Sequence, residues 1–395
     1  MRVEGDEKLL HKVAEAISKI HGVRLVRRQV IKKGKNNVAG TILGVDTLRE
    51  NGVDLTGKGE IVAVCDGGFD IGREDNVHPD FEGRVKAIKS YPISEEHLGE
   101  VYNQRRDSGP ADVSDGHGTH VAGSVLGSGH ASRHLAGHDK PIRGIAYEAE
   151  LVFQAVEQEM EWRDPKYYQI YGRFSLTGIP EDITDILQFA HDQGTRIHSN
   201  SWGGSYPGEY DSTCRLMDEF IWNHKDFAIV VAAGNEGSDR EFMGVIPPTS
   251  IQSPATAKNV ITVGATESVR PEFNDRTYGK RWPKDYPVSP FWASPIANNP
   301  YQVAAFSSRG PTNEGRIKPD VVAPGTYILS TRSRAIPHKL DGWERIPDNL
   351  DYFYLGGTSM STPLVSGCCA LLRQYFKEYY ERPKPSAALL KAALI

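Results

Sequence analysis

Hydrophobic positions along the chain change period several times, and those changes divide it. Leu9, Leu10, Val13, Ile17 and Ile20 recur at three- and four-residue intervals, which predicts an amphipathic helix over 6–20 that Gly22 stops. Val23 and Leu25 alternate with Arg24 and Arg27, predicting a strand, and IKKGKNN then reads as a basic linker. One helix and one strand cannot bury a core, so residues 1–35 are read as an N-terminal extension and 36–395 as the main domain. From Gly59 onward, short apolar runs alternate with helical patterns. Strands are predicted in 60–66, 142–156, 196–204, 227–237 and 259–266, and helices in 181–194 and 211–224. That alternation predicts an α/β domain with a mostly parallel central sheet flanked by helices. Glu267 to Val303 is rich in Pro and aromatics without a period and reads as a surface insertion.

The last strong pattern, GGTSMSTPLVSG at 356–367, leads into Leu364, Val365, Cys368, Ala370, Leu371 and Leu372 at helical spacing. Glycines before a serine and Pro363 soon after suit a serine at a helix N-terminus, with Pro tolerated in the first turn and free N–H groups facing a developing anion. A Ser/Thr cap on a buried helix fits the same residues equally well.

Composition narrows the function classes. Lys+Arg 46 against Asp+Glu 51 gives a net charge of −5 without a basic block, which argues against nucleic acid as the main partner. No apolar run is long enough for a membrane span, and the charged N-terminus does not read as a secretory signal. Cys65, Cys214, Cys368 and Cys369 fall in strand and helix patterns and are expected to be buried free thiols.

In open α/β sheets reactive groups collect at the carboxyl ends of strands. Asp66 ends IVAVC, His117 opens HGTHVAGSVL, Asn235 sits in the turn AAGNEG, and Ser359 is the candidate nucleophile. A serine attacks a carbonyl only when a base takes its proton, the role open to His117. Asp66 would hold the imidazole tautomer, and Asn235 with the Ser359 N–H would meet the oxyanion. Each residue also has a plain explanation: a strand-end Asp is usually a cap, a turn Asn supplies left-handed backbone, and His117 with His120 could be ordinary helix residues or half a metal site. Their joint order, Asp, His, Asn, Ser, is that of subtilisin and not of the α/β-hydrolases.

With DGG at 66–68, DGHGTHVAGS, NSWGG, AAGNEG, SPATAKNVITVGAT, FSSRGPT and KPDVVAPG added, the chain from about Gly59 to Ile395 resembles the subtilase (subtilisin-like, S8) serine peptidases, and within them the KP-43-like alkaline proteases. The resemblance implies the three-layer subtilisin-like fold and an endopeptidase. Asp66, His117 and Ser359 would form the triad and Asn235 the oxyanion donor. Ser201, Trp202 and Gly203 would pair with an extended substrate, with Ala232, Ala233 and Gly234 as the opposite pocket wall. A glycine-flanked edge suits peptide by strand addition; Trp202 reads equally as a core aromatic. Gly67 departs from the Ser or Thr usual after the catalytic Asp, and Ser361 from the common Ala.

The resemblance further implies that no cofactor is needed for the chemistry, that structural Ca²⁺ is a candidate in an acidic loop such as 70–80, and that a C-terminal β-sandwich would follow. Residues 1–35 would be the tail of an inhibitory propeptide or a plain extension. It also implies a secreted monomer acting on protein or peptide, although four unpaired thiols and no signal equally suit a cytoplasmic enzyme. His130, His134, His138 and Asp139 recur at metal-ligand spacing in a Gly- and Ser-rich loop. A catalytically silent peptide-binding module and an esterase remain the alternatives in function.

Overall fold

The strands are β1 (Ile61–Asp66), β2 (Val85–Ser90), β3 (Glu150–Ala155), β4 (Gln158–Glu159), β5 (Phe174–Ser175), β6 (Ile197–Asn200), β7 (Ala228–Ala232), β8 (Ile261–Thr266), β9 (Val321–Pro324), β10 (Ile328–Thr331), β11 (Glu344–Arg345) and β12 (Tyr352–Leu355). The computed structural model describes residues 38–104, 106–133, 135, 141–204 and 206–395, within the unit Lys35–Ile395. The helix and strand expected in 6–31 lie outside them.

Seven strands form one sheet in the order β2-β3-β1-β6-β7-β8-β9, with every neighbouring pair parallel. β1, β7 and β8 are buried almost throughout, which is why their sequences are continuously apolar and not alternating. β2 (VKAIKS) and β9 (VVAP) went unpredicted. They are the two edges, where Lys86 is exposed and Lys89 half-exposed and a proline costs no ladder bond, so neither carries a buried strand's signature.

The helices are α1 (Val38–Ile42), α2 (Val45–Glu50), α3 (His117–Leu126), α4 (Lys166–Tyr171), α5 (Thr184–Asp192), α6 (Ser212–Asn223), α7 (Tyr278–Arg281), α8 (Thr358–Tyr379) and α9 (Ala387–Leu394). α3 and α8 pack on one another and on the sheet, α3 against β1 and β3 and α8 against β6 through β9, while α6 packs on α5 and β7. α6 starts where predicted, with Asp211 accepting the Cys214 N–H at 3.0 Å.

The strand expected within 142–156 is Glu150–Ala155. Ahead of it, the N–H groups of Gly144, Ile145 and Ala146 donate to Gly127, Ser124 and Val125 at 2.8–3.2 Å, satisfying carbonyls at the end of α3. The stretch from Glu267 to Val303 is no loose insertion. Tyr278, Tyr286, Ile296 and Ala297 are buried in a second apolar cluster shared with Phe306, Tyr327 and Tyr354, beside the antiparallel sheet β10-β12-β11.

Candidate active site

The sheet changes direction at β1. After β1 the chain places β2 at the edge and β3 between the two, then continues on the other side of β1 with β6, so the carboxyl ends of β1 and β6 border a crevice. Asp66 is the last residue of β1, Ser201 follows β6, and Asn235 lies three residues after β7. Three neighbouring strands thus deliver three of the candidate positions to one edge.

Asp66 is buried, 3% exposed, and its Oδ1 accepts the Gly67 N–H at 2.8 Å and His117 Nδ1 at 2.7 Å. A carboxylate only accepts, so Nδ1 carries a proton, and in the neutral imidazole Nε2 is the nitrogen left with a lone pair. Oδ2 is buried without a hydrogen-bond partner among the described residues, and Gly67 beside it has no hydroxyl to offer. Burial by itself would lower the His117 pKa. The Asp66 carboxylate, through charge and hydrogen bond, reverses that with help from Asp115 and Asp112, and the imidazole is raised above its ordinary value.

The turn that places His117 is built on Asp112, a residue the sequence reading passed over. Its carboxylate accepts the Gly116 N–H (3.0 Å), the Thr119 N–H (2.9 Å) and the Thr119 hydroxyl (2.6 Å), while Asp115 accepts the His117 N–H at 2.9 Å. Thr119 Oγ1 in turn accepts the Asp70 N–H at 2.8 Å, tying α3 to the loop after β1. Gly118 permits this approach, since a Cβ there would collide with the Gly68 carbonyl oxygen.

Ser359 is the second residue of α8, and Pro363 is the sixth, not a first-turn residue as expected. A proline there cannot donate to the carbonyl four residues earlier, which is that of Ser359. Ser201 Oγ donates to that carbonyl at 2.8 Å instead, and the Ser359 hydroxyl donates back to the Ser201 carbonyl at 3.0 Å. The structure therefore joins Asp66 to His117 and Ser359 to Ser201. Among the described residues it gives no hydrogen bond between Ser359 and His117.

Asn235 is exposed at a turn opened by Gly234, whose φ of 103° lies in the left-handed region. Its Oδ1 accepts the Thr358 N–H at 2.9 Å and the Thr358 hydroxyl at 3.2 Å, while Thr358 Oγ1 accepts the Gly234 N–H at 3.2 Å. These donors fix which end of the amide is oxygen, so Nδ2 is the end left to donate. Thr358 was legible only as part of GGTS; its role in orienting Asn235 was not.

Trp202 is half-buried, packs against the main core, lines a cavity of ≈ 370 Å³, and donates its indole N–H to the Cys65 carbonyl at 3.0 Å, so its two readings do not exclude each other. Gly203 is exposed, and its main-chain groups, like those of Trp202, have no hydrogen-bond partner among the described residues. Ala232 and Ala233 are buried at the end of β7, and Ala233 N–H is spent on Val263.

The loop 70–80 does not fit a Ca²⁺ site. Asp70 is clasped by the Arg334 guanidinium, Asp75 by Arg73, and Asp80 accepts from the Gly129 and Ala131 N–H groups and the Tyr352 hydroxyl. Among the described residues no three His, Cys, Asp or Glu side chains are grouped to hold a metal; His134, His138 and Asp139 lie outside them. All four cysteines are free; Cys368 is half-buried and the rest buried.

The chain is 29% identical to the serine protease/ABC transporter B family protein tagD of Dictyostelium discoideum over 89% of its own length, which is 21% of that relative. It is 32% identical to the serine protease AprX of Bacillus subtilis over 82% of its length and 59% of AprX, and 26% identical to the major intracellular serine protease of the same species over 83% of its length and 72% of that protein. It thus spans from a fifth to under three fifths of the first two. No helix among the described residues is long and apolar enough to cross a membrane. The sequence profile of the subtilase family, peptidase S8, matches residues 57–395, from just before β1 through α9, and the chain belongs to that family.

Proposed function

We propose that this chain is a serine endopeptidase that cleaves peptide bonds through an acyl-enzyme, with Asp66, His117 and Ser359 as triad and Asn235 as oxyanion donor. The observation that carries the reading is the 2.7 Å hydrogen bond from His117 Nδ1 to the buried Asp66 carboxylate. It fixes the tautomer that leaves Nε2 free to accept a proton, on a helix packed against the one that presents Ser359.

The Ser359 hydroxyl leaves the Ser201 carbonyl by rotation about χ1, gives its proton to Nε2, and its oxygen attacks the substrate carbonyl carbon. The oxyanion that forms is met by Asn235 Nδ2 and the Ser359 N–H at the start of α8. The imidazolium then protonates the departing amine, and water repeats the sequence to release the acid. The open main-chain groups of Trp202 and Gly203 suit an extended peptide over a small ester. No step in this sequence needs a metal or cofactor. The motifs shared with KP-43-like alkaline proteases point to secretion, while the free thiols equally suit a cytoplasmic enzyme.

One observation favours the silent-module reading: the hydroxyl rests on Ser201, not on His117. A fluorophosphonate probe separates the two. A single adduct on Ser359, lost in Ser359→Ala and accompanied by digestion of a peptide library, supports the endopeptidase; an unlabelled, folded protein overturns it.

A further inference from the structure

Every acid in the loop 70–80 is committed to protein donors. Glu74 accepts the Ile88 N–H at 2.8 Å, Asp75 pairs with Arg73, and Asp80 accepts from the N–H groups of Gly129 and Ala131 and the Tyr352 hydroxyl. Asp70 is held differently, by one guanidinium. Arg334, three residues past β10, donates from Nε to Oδ1 and Oδ2 at 3.1 and 3.0 Å and from Nη2 to Oδ2 at 2.5 Å, and its backbone N–H reaches Oδ1 at 3.0 Å. The same guanidinium donates from Nη1 to the Asn76 side-chain oxygen at 3.0 Å and from Nη2 to the Asn76 carbonyl at 2.8 Å.

A carboxylate engaged through both oxygens, an amide oxygen and a main-chain carbonyl are the ligand types that a Ca²⁺ ion collects. Here they surround a positive charge that the chain supplies itself. Asp70 is 1% exposed, so little water could replace that partner. The cage is also tied to the catalytic turn. The Asp70 N–H donates to Thr119 Oγ1 at 2.8 Å, the Asp112 N–H donates to the Asp70 carbonyl at 2.9 Å, and the hydroxyl of Ser333, beside Arg334, donates to the Asp112 carbonyl at 2.7 Å. Asp112 and Thr119 are the residues that shape the turn at His117.

We infer that the Arg334 guanidinium, caged by Asp70 and Asn76, is the resident cation of this loop in place of Ca²⁺, and that through Asp70 it is a positioning residue for His117. The first part stands without the endopeptidase reading; the second rests on it. Thermal unfolding is followed in the Ser359→Ala background, to exclude self-digestion. Arg334→Met should lower Tm by roughly 5 °C. Arg334→Gly opens the cage, and roughly 10 mM ethylguanidinium should restore at least half of its loss while leaving the parent and Arg334→Met unmoved. If Arg334→Gly does not fold, its refolding yield should recover only with that additive. EDTA should shift the parent and Asp70→Asn alike. With Ser359 intact and below these Tm values, Arg334→Gly should lower kcat on a peptide by roughly 10-fold at similar KM, per fluorophosphonate-titrated site, and ethylguanidinium should restore it. A Tm loss under about 1 °C in Arg334→Met, a defect in Arg334→Gly that ethylguanidinium leaves unrepaired, or an EDTA effect on the parent that Asp70→Asn abolishes overturns the cation role. An unchanged kcat, or a loss confined to KM, overturns the positioning role alone. No hydrolysis by the parent overturns the endopeptidase reading and leaves the Tm results standing.

Discussion

Ser201 and Ser359 hydrogen-bond to each other twice, hydroxyl to carbonyl in each direction, at 2.8 and 3.0 Å. One of these bonds serves the fold: the Ser359 carbonyl is open because Pro363 has no N–H to give it. Ser201→Ala leaves a half-buried carbonyl unpaired and should cost about 1–3 kcal/mol in urea denaturation. Pro363→Ala restores an N–H to the helix, so in the double variant the loss at Ser201 should shrink. Additive losses in that cycle would show that Ser201 does not stand in for the missing donor.

Asp66→Asn keeps the shape of the His117 contact but removes its charge and allows the wrong tautomer. Since Asp66 raises the His117 pKa, its loss should move the acidic limb of the kcat/KM profile to lower pH while kcat falls by roughly 10⁴, the scale known for this change in other Ser–His–Asp enzymes. An unmoved limb would mean that another group sets it.

The Asn235 amide is aimed by Thr358, so the two residues should fail in the same way. Asn235→Ala should lower kcat by roughly 10² to 10³ with little change in KM, the range found for one oxyanion donor in a subtilisin. Thr358→Val keeps the N–H to Asn235 Oδ1 but loses the hydroxyl contacts to Asn235 and Gly234, and should lower kcat by a smaller factor in the same direction. A rise in KM at constant kcat in either variant would reassign that residue to substrate binding.

What was legible in the sequence follows burial. β1, β7 and β8 announce themselves because both faces are covered, and Asp66 and Asn235 could be placed because they end or follow such strands. Edge strands β2 and β9 could not be seen, since β2 has no fully buried position and β9 only two. Contacts between distant segments were also hidden. Nothing in TSMSTP says that the carbonyl opened by Pro363 is met by a hydroxyl from the end of β6, or that Asp112 shapes the turn before His117. The aromatic stretch after Glu267 hid its packing for a related reason: its rings meet partners as far away as Trp343 and Tyr354, so no local period appears.

Glu157, just past β3, supplies a pH-dependent charge next to the Asp66–His117 pair. Its backbone N–H donates to the Gly67 carbonyl at 3.1 Å, and a Cβ on Gly67 would lie 3.6 Å from its carboxylate. Burial first, then the nearby Asp115 and Asp66 charges, push its pKa up to about 7, against the pull of a hydrogen bond from Ser114. A folded-state pKa above the unfolded one means that the native protein binds more protons between the two values, so this group's contribution to stability is full below about 4.5 and is lost as pH rises through 7. Glu157→Gln should therefore gain stability relative to the parent between pH 5 and 8, read as a widening difference in urea midpoint. The same substitution removes an anion that favours the imidazolium, so the acidic limb of kcat/KM should shift to lower pH. If the two proteins instead run parallel in midpoint across that range, Glu157 does not titrate there, and its nearness to the dyad is only a matter of packing.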